Sequence, residues 1–359
     1  MASSKRIFCM LVCLALLVSA MLTVSAEDTT LTYGDFSYTV LDDGTVGITG
    51  YNGTEAEVVM PSEIDGKRVS TIGNEIFWSK DNLTSVVLPE NLEHLGARVF
   101  AYCSSLTEIT LPDTVSEIGD ACFLSCSKLG KINVPANLAY VGAFAYEGTA
   151  WLTQFEGCSS VILGGKIFYQ YLADESSVVI PDGIICISGN AFENKNLSFV
   201  HIPDSVAFIG DYAFYNCKNL KEIRLPSDIY YLGDNSLGLL AGTEKFVLVE
   251  DFVIYAANGT LGADYAEAQK ITLKTLEEYT EPAFMPEAEV CVPTGVIREA
   301  DKPVSQSGSL NSGDVVTIVL SIAGCVVIIG GVAVASYYYE KKRKKLRKEQ
   351  NQNSKKKKK

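Results

Sequence analysis

The sequence predicts a β-rich solenoid of about seven short coils, with an N-terminal hairpin cap and an internal hairpin break, plus one C-terminal transmembrane α-helix. Three observations predict it: a proline-punctuated repeat of 22–23 residues, two turn-centred segments that interrupt or precede it, and an uncharged apolar run near the C-terminus.

The repeat is clearest when aligned on proline. LPENLEHLGARVFAYCSSLTEIT starts at Leu88 and LPDTVSEIGDACFLSCSKLGKIN at Leu111; IPDGIICISGNAFENKNLSFVH starts at Ile180 and IPDSVAFIGDYAFYNCKNLKEIR at Ile202. Pro89, Pro112 and Pro135 are 23 residues apart, as are Pro203 and Pro226, while Pro181 and Pro203 are 22 apart. The segment L-x-x-[IV]-x-[LIV]-Pro puts alternate side chains on one face of a short strand. Proline ends that strand because it has no N–H for a continuing ladder. Gly96, Gly119 and Gly210 are expected to permit a tight turn, and Phe100, Phe123, Phe192 and Phe214 to fill the coil interior. A single coil cannot bury its own apolar face, so neighbours must stack about 4.8 Å apart.

Two segments depart from the frame. Alternating apolar residues flank Asp42-Asp43-Gly44, the signature of a β-hairpin, and Gly164-Gly165 separates VIL from KIFYQY, supplying the positive φ a hairpin turn needs. The coil after Pro226 loses its Phe and Cys, so residues 232–280 read as a degenerate last coil and cap.

These features resemble the BspA-like leucine-rich repeats of bacterial and some protist surface proteins. Residues 35–76 are similar to that family's usual opening, with the hairpin followed by PSEIDGK and the first I-G turn; 144–171 are similar to its internal break, with GTAWL and a two-stranded hairpin. The resemblance covers about residues 35–275 and implies a leucine-rich-repeat solenoid with a role in adhesion or coaggregation.

The ends carry targeting signals. Lys5 and Arg6 precede an apolar run from Ile7 to Leu22 and the small residues before Glu27, as in a secretory signal peptide. Val315 to Tyr338 contains no charge and is long enough for a bilayer core of roughly 30 Å. Tyr337, Tyr338 and Tyr339 suit its interface, and KKRKKLRK from Lys341 suits the cytoplasmic side. The expected organisation is a signal peptide over 1–26, a hairpin cap over 27–60 and a first repeat block over 61–157. A hairpin insertion follows over 158–178, a second block over 179–248 and a C-terminal cap over 249–281. A flexible Pro/Ser/Gly/Glu stalk over 282–314, reaching roughly 30 Å, leads to the membrane helix over 315–338 and a basic tail over 339–359. The protein is therefore expected at the cell membrane, single-pass, with its ectodomain outside.

The net charge of −13 is unevenly placed. Residues 337–359 hold twelve Lys/Arg and two Glu, and the leader holds Lys5 and Arg6, which leaves 16 basic and 41 acidic residues between. That field argues against nucleic acid as a partner. The tail's basic run suits a topology signal, with contact to anionic lipid as an added expectation.

Of the ten cysteines, Cys9 and Cys13 fall in the leader and Cys325 in the membrane run, leaving seven without CxxC spacing. Neither a disulfide framework nor a zinc site is expected. Cys103, Cys126 and Cys217 each lie fourteen residues after their proline, where Lys195 stands in the coil from Pro181. They are read as a ladder of small inward side chains, with a Cys103–Cys126 disulfide as the open alternative. His94 and His201 have no metal-ligand spacing, His94 is expected at the surface, and no catalytic or nucleotide-binding motif occurs. No enzyme activity, cofactor or metal is expected. Asn52, Asn82, Asn196 and Asn258 stand in N-x-[ST] sequons, which are candidate glycan sites in a eukaryote and carry no meaning in most bacteria; Asn82 and Asn196 also read as polar turn residues just before the repeat's leucine.

A binding surface remains. The third and fifth positions of L-x-x-I-x-L face outward and stack into two columns: Ser85 and Val87, Glu108 and Thr110, Lys131 and Asn133, Phe199 and His201, Glu222 and Arg224. The expected function is a non-catalytic adhesin or surface receptor displaying this face to proteins of a host or neighbouring cell. The alternative is an envelope scaffold packed against wall polymer or sister molecules.

Overall fold

A computed structural model of the chain describes residues 31–242 and 246–280, together with the backbone of the strand Val290–Cys291. The expected leader, transmembrane helix and basic tail lie outside the described residues, as does the stalk apart from that strand. Among the described residues no helix is long and apolar enough to cross a membrane.

The array opens with three antiparallel strands, Leu31–Tyr33, Phe36–Val40 and Val46–Tyr51. Gly44 turns the second hairpin at φ 81°, and Asp43 Oδ1 accepts hydrogen bonds from Thr45 N (2.9 Å) and Thr45 Oγ1 (2.7 Å). From Val46 onward the pairing becomes parallel, through Lys67–Ile72, His94–Leu95, Glu117–Ile118 and Tyr140–Val141. This ladder carries the aliphatic-Gly pairs. The L-x-x-I segments form a second ladder, with Glu57–Val59 beside Ser85–Val87 and Glu108–Ile109 beside Lys131–Ile132.

The internal hairpin pairs Ser160–Leu163 with Ile167–Tyr171, and Gly164 and Gly165 both take positive φ (56° and 66°) at its tip. Its second strand enters the ladder, pairing in parallel with Cys186–Ile187, which continues to Phe208–Ile209 and Tyr231–Leu232. The facing ladder runs through Ser177–Val179 and Phe199–His201, then through Glu222–Arg224, Val253–Tyr255 and Thr272–Lys274.

The last two strands correct the coil count. The array has about ten turns rather than about seven; the internal hairpin contributes a strand to the ladder, and the stretch expected as an irregular cap carries two further parallel strands. The helix Leu261–Gln269 replaces the usual turn between them, and its C-terminus is closed by Lys270 in the left-handed conformation. Without a proline or a Phe/Cys pair, these coils leave no trace in the repeat frame.

Aromatic rings form the spine of the core. Phe77, Phe100, Phe123 and Tyr146 stack with centroids 5.2, 5.5 and 5.6 Å apart and planes within 11° of parallel. In the second block Phe168, Phe192 and Phe214 repeat the arrangement at 4.8 and 4.7 Å. These separations follow the inter-strand spacing of about 4.8 Å, so each coil contributes one ring per step. The buried residues fall into two clusters that meet at the hairpin.

The glycines act differently from the tight-turn expectation. Gly96, Gly119 and Gly210 do not have positive φ. They make room instead: a Cβ on Gly119 would lie 2.6 Å from the carbonyl carbon of Gly96 one coil back. The left-handed positions are the residues two and six further on, among them Arg98 and Tyr102, and Ala121 and Ser125. They are held by the next coil, where Asp120 O accepts from Arg98 N and Leu124 O from Tyr102 N, each at 2.8 Å. In the 22-residue coil from Pro181 the missing residue lies between Lys195 and Leu197, which are two apart where Cys217 and Leu220 are three apart; Pro181 to Phe192 and Pro203 to Phe214 both span eleven.

Candidate functional site

The two outward columns are built by strand register. Glu57, Ser85, Glu108 and Lys131 align in the first block beside Val59 and Val87. Val59 and Val87 are 72% and 54% exposed, high for valines held side by side in a sheet. Lys131 Nζ lies 3.9 Å from Glu108 across the step, a solvent-exposed pair worth little to stability. Thr110 is exposed. Asn133, at the same frame position one coil on, is committed to the fold: its Nδ2 donates to Leu111 O (2.8 Å) and its Oδ1 accepts from Leu111 N (2.7 Å). The amide finishes a ladder that the break interrupts.

Beyond Lys131 the insertion separates the columns into two patches. Trp151 N donates to Leu129 O (2.8 Å), and Gln154 Nε2, on the short 3-10 helix Leu152–Phe155, donates to Gly130 O (2.9 Å). The second patch then starts afresh. Ser177, Phe199, Glu222, Val253 and Thr272 form one column; Val179, His201, Arg224, Tyr255 and Lys274 form the other. Phe199 and His201 are half-buried. Arg224 Nη2 pairs with Asp204 Oδ1 at 2.8 Å, and Tyr255 donates its hydroxyl to Glu222 Oε2 at 3.2 Å. Tyr279 packs edge-on against Tyr255, with centroids 5.1 Å apart, and Lys274 Nζ stands 5.6 Å from the Tyr255 ring. A shallow hollow of about 360 Å³ opens here, lined by Asp182, His201, Pro203, Asp204, Ser205, Arg224 and Tyr279. Mixed charge thus stands beside aromatic rings and an arginine on this part of the face.

Glu57, Val59, Ser177 and Val179 belong to the face although the sequence expectation omitted them. The same x-V-x-aliphatic-Pro frame ends at Pro61 and Pro181, so the signal was present. Tyr255, Lys274 and Tyr279 carry no such signal.

On the opposite ladder His94 is half-buried rather than surface-exposed, with its side chain 23% accessible. Stacking places its neighbours 23 residues away: it aligns with Thr71 on one side and Glu117 on the other. Glu117 Oε2 lies 3.2 Å from Nδ1 and Glu93 Oε2 4.0 Å from Nε2, and Arg68 in turn binds Glu93 at 2.6 Å. Burial opposes protonation and is the largest single influence, but Glu117, Glu93 and Asp43 together outweigh it and raise the imidazole pKa.

The cysteine ladder is settled in favour of thiols. Cys103, Cys122, Cys126, Cys186 and Cys217 are free and buried, so Cys103 and Cys126 are not joined. Each ladder thiol donates to the carbonyl of a core phenylalanine one coil back: Cys103 to Phe77 (3.0 Å), Cys126 to Phe100 (3.0 Å), Cys217 to Phe192 (3.1 Å). Burial pushes the Cys103, Cys126 and Cys217 thiols up to about 12, which suppresses the thiolate and its reactivity. Lys195 does the same work with a longer reach, donating to Leu172 O (3.2 Å) and Ala173 O (3.1 Å). Lys80 mirrors it over the N-terminal cap, donating to Gly53 O at 2.8 Å. Cys158, which the sequence reading did not single out, is disulfide-bonded.

The family model for the "BspA type Leucine rich repeat region (6 copies)" matches residues 62–173 and 161–254, more than half of the chain. No curated protein matches it. Among solved structures, a leucine-rich repeat protein from Bacteroides capillosus ATCC 29799 is 23% identical, with 34% of this chain and 94% of that one covered at a TM-score of 0.32. A leucine rich cell surface protein from Faecalibacterium prausnitzii A2-165 is 18% identical, covering 70% and 96% at 0.26. The T. pallidum leucine rich repeat protein is 20% identical, covering 69% and 98% at 0.27. With its proline-punctuated coils, hairpin cap and internal break, the chain belongs to the BspA-type leucine-rich-repeat family.

Proposed function

We propose that this protein is a non-catalytic cell-surface adhesin or receptor that holds its outward strand columns toward a protein ligand on a host or neighbouring cell. The observation that carries the reading is the exposed, register-aligned column led by Val59 and Val87. Unpaired apolar side chains on a rigid sheet are suited to burial against a partner. The second patch adds Arg224, His201 and the tyrosines Tyr255 and Tyr279. A repeat scaffold keeps these positions fixed relative to one another, and many copies on one surface would multiply weak contacts. The leader, the membrane helix over 315–338 and the basic tail, with its contact to anionic lipid, belong to the same proposal. So do the boundaries drawn from the sequence.

The test places purified protein on a panel of matrix proteins, host cells and peptidoglycan. Two variants accompany it, Val59→Ser with Val87→Ser, and His201→Ser with Arg224→Ser. Saturable protein binding lost in either variant supports recognition by the strand face. Binding to wall polymer alone, unchanged by both, overturns it in favour of an envelope scaffold.

A further inference from the structure

The turns that lead from the frame's glycines to its leucines each contain left-handed positions. Small or amide side chains fill many of them, with Ser79 and Ser125 in the first block and Asn190, Asn194, Asn216 and Asn235 in the second. Tyr102, Phe144 and Tyr212 are the aromatic exceptions, at φ 65°, 56° and 57°. A bulky side chain is an outlier in that conformation, whereas asparagine adopts it readily. Tyr102 and Phe144 are also 45% and 42% exposed. Among the described residues neither ring meets another aromatic ring, and no hydrogen bond reaches the Tyr102 hydroxyl. The core therefore gains nothing from these two rings, although the backbone is strained to hold them. Strain kept without a contact inside the fold points to a contact outside it.

The surroundings indicate what that contact would be. Trp78, one coil before Tyr102, is 53% exposed. The coil between Tyr102 and Phe144 carries Ala121 and Ser125 at the equivalent positions, so small residues separate the two rings. Glu75 and Arg98, the charged residues at these positions in the first block, pair with each other. In the second block Tyr212, Tyr215 and Phe246 form a ring cluster with centroids 5.5, 5.7 and 6.0 Å apart. Amides stand beside it: Asn235 Nδ2 donates to the Tyr212 hydroxyl (3.2 Å), Asn216 Nδ2 to Asn194 Oδ1 (2.6 Å), and Asn190 Nδ2 to Glu193 Oε2 (2.7 Å).

We propose that this turn face is a second binding surface, separate from the strand columns, and that it takes a neutral polysaccharide, with Tyr102 and Phe144 as its anchors. Aromatic faces pack against the C–H faces of sugar rings. Hydroxyl and amide side chains both donate and accept, as sugar hydroxyls do. An anionic polymer is opposed by the chain's own field, with 41 acidic against 16 basic residues between the leader and the tail. Because the turn positions recur with every coil, about 4.8 Å apart, a chain of repeated sugar units would be met at several points at once. Weak contacts then act together.

The test is affinity electrophoresis of the purified protein through gels containing β-glucan, mannan or galactan, with acidic polygalacturonate as the contrast. A neutral polysaccharide should retard the protein where polygalacturonate does not, and the retardation should be lost in Tyr102→Asn with Phe144→Asn. Asparagine suits the left-handed conformation, so this double variant should melt at or above the temperature of the unsubstituted protein, which separates lost binding from lost fold. A lower melting temperature would show that the rings serve the fold and overturns the proposal. Retardation in none of the neutral gels, retardation untouched by the substitutions, or equal retardation by polygalacturonate overturns it as well. So does loss, in the same variant, of binding to a protein of the matrix panel, which would make the turn face a protein surface. The strand-face variants alter other residues, so the two readings fail separately.

Discussion

The thiol of Cys126 donates to the main-chain carbonyl of Phe100 at 3.0 Å, one coil back along the array. The contact joins the two periodic features of the core, because Phe100 also stacks on Phe123 from the same coil as Cys126. The Phe100 carbonyl already accepts Cys103 N within its own coil at 3.0 Å, so the following coil's thiol adds a second hydrogen bond to the same oxygen, which has two lone pairs.

Replacing Cys126 with Ala removes the donor and leaves a void beside Phe100. The expected loss is about 1–3 kcal/mol, measured by denaturant unfolding. A companion measurement reads the same burial chemically. With its pKa raised to about 12, Cys126 should resist alkylation in the native protein at neutral pH and react once unfolded. Rapid native alkylation would contradict its placement.

Gly119→Ala tests whether these glycines serve close approach or turn conformation. A methyl 2.6 Å from Gly96's carbonyl carbon must push two coils apart, which costs about 1–3 kcal/mol by overpacking. If conformation were the reason, Ala would be harmless at Gly119, where φ is not positive. A melting temperature equal to that of the unsubstituted protein would refute the close-approach account.

His94 makes stability depend on pH in a definite sense. Its folded pKa is raised by Glu117, Glu93 and Asp43, so protonation favours the folded state. The contribution is complete below the ordinary imidazole value of about 6.5 and is lost as pH rises through the higher folded value. Arg68, bound to Glu93, competes for one carboxylate without reversing the sign. Thermal unfolding from about pH 5 to 9 should show the largest advantage over His94→Gln at the acid end, shrinking upward. A constant difference across that range would show that His94 acts through packing alone.

Much of this fold was legible in sequence because its repeated contacts are made by the same frame position in each coil. Pro89, Phe100 and Leu106 announce a coil locally, and so do Gly164 and Gly165 the hairpin. What escaped depends on neighbours about 23 residues away or on chain far outside the frame. His94 reads as a variable surface residue until stacking brings Glu117 beside it. Thr110 and Asn133 are equivalent in the frame, yet only Asn133 ends a ladder and turns its amide onto Leu111. Tyr255 and Lys274 extend the candidate face from coils that have lost their proline, and Cys158 is joined to a residue that no local spacing identifies.

The stacked rings also set a ruler. Since each phenylalanine meets the next coil's phenylalanine at one strand spacing, removing or duplicating a whole coil leaves the ring, thiol and glycine contacts in phase. Removing one residue shifts them all out of phase, except just before the leucine that opens the strand segment, where the coil from Pro181 is already shorter by one, between Lys195 and Leu197. Such a protein can lengthen or shorten its reach only in increments of about 4.8 Å, so divergence in this array should proceed by counting coils rather than by reshaping them.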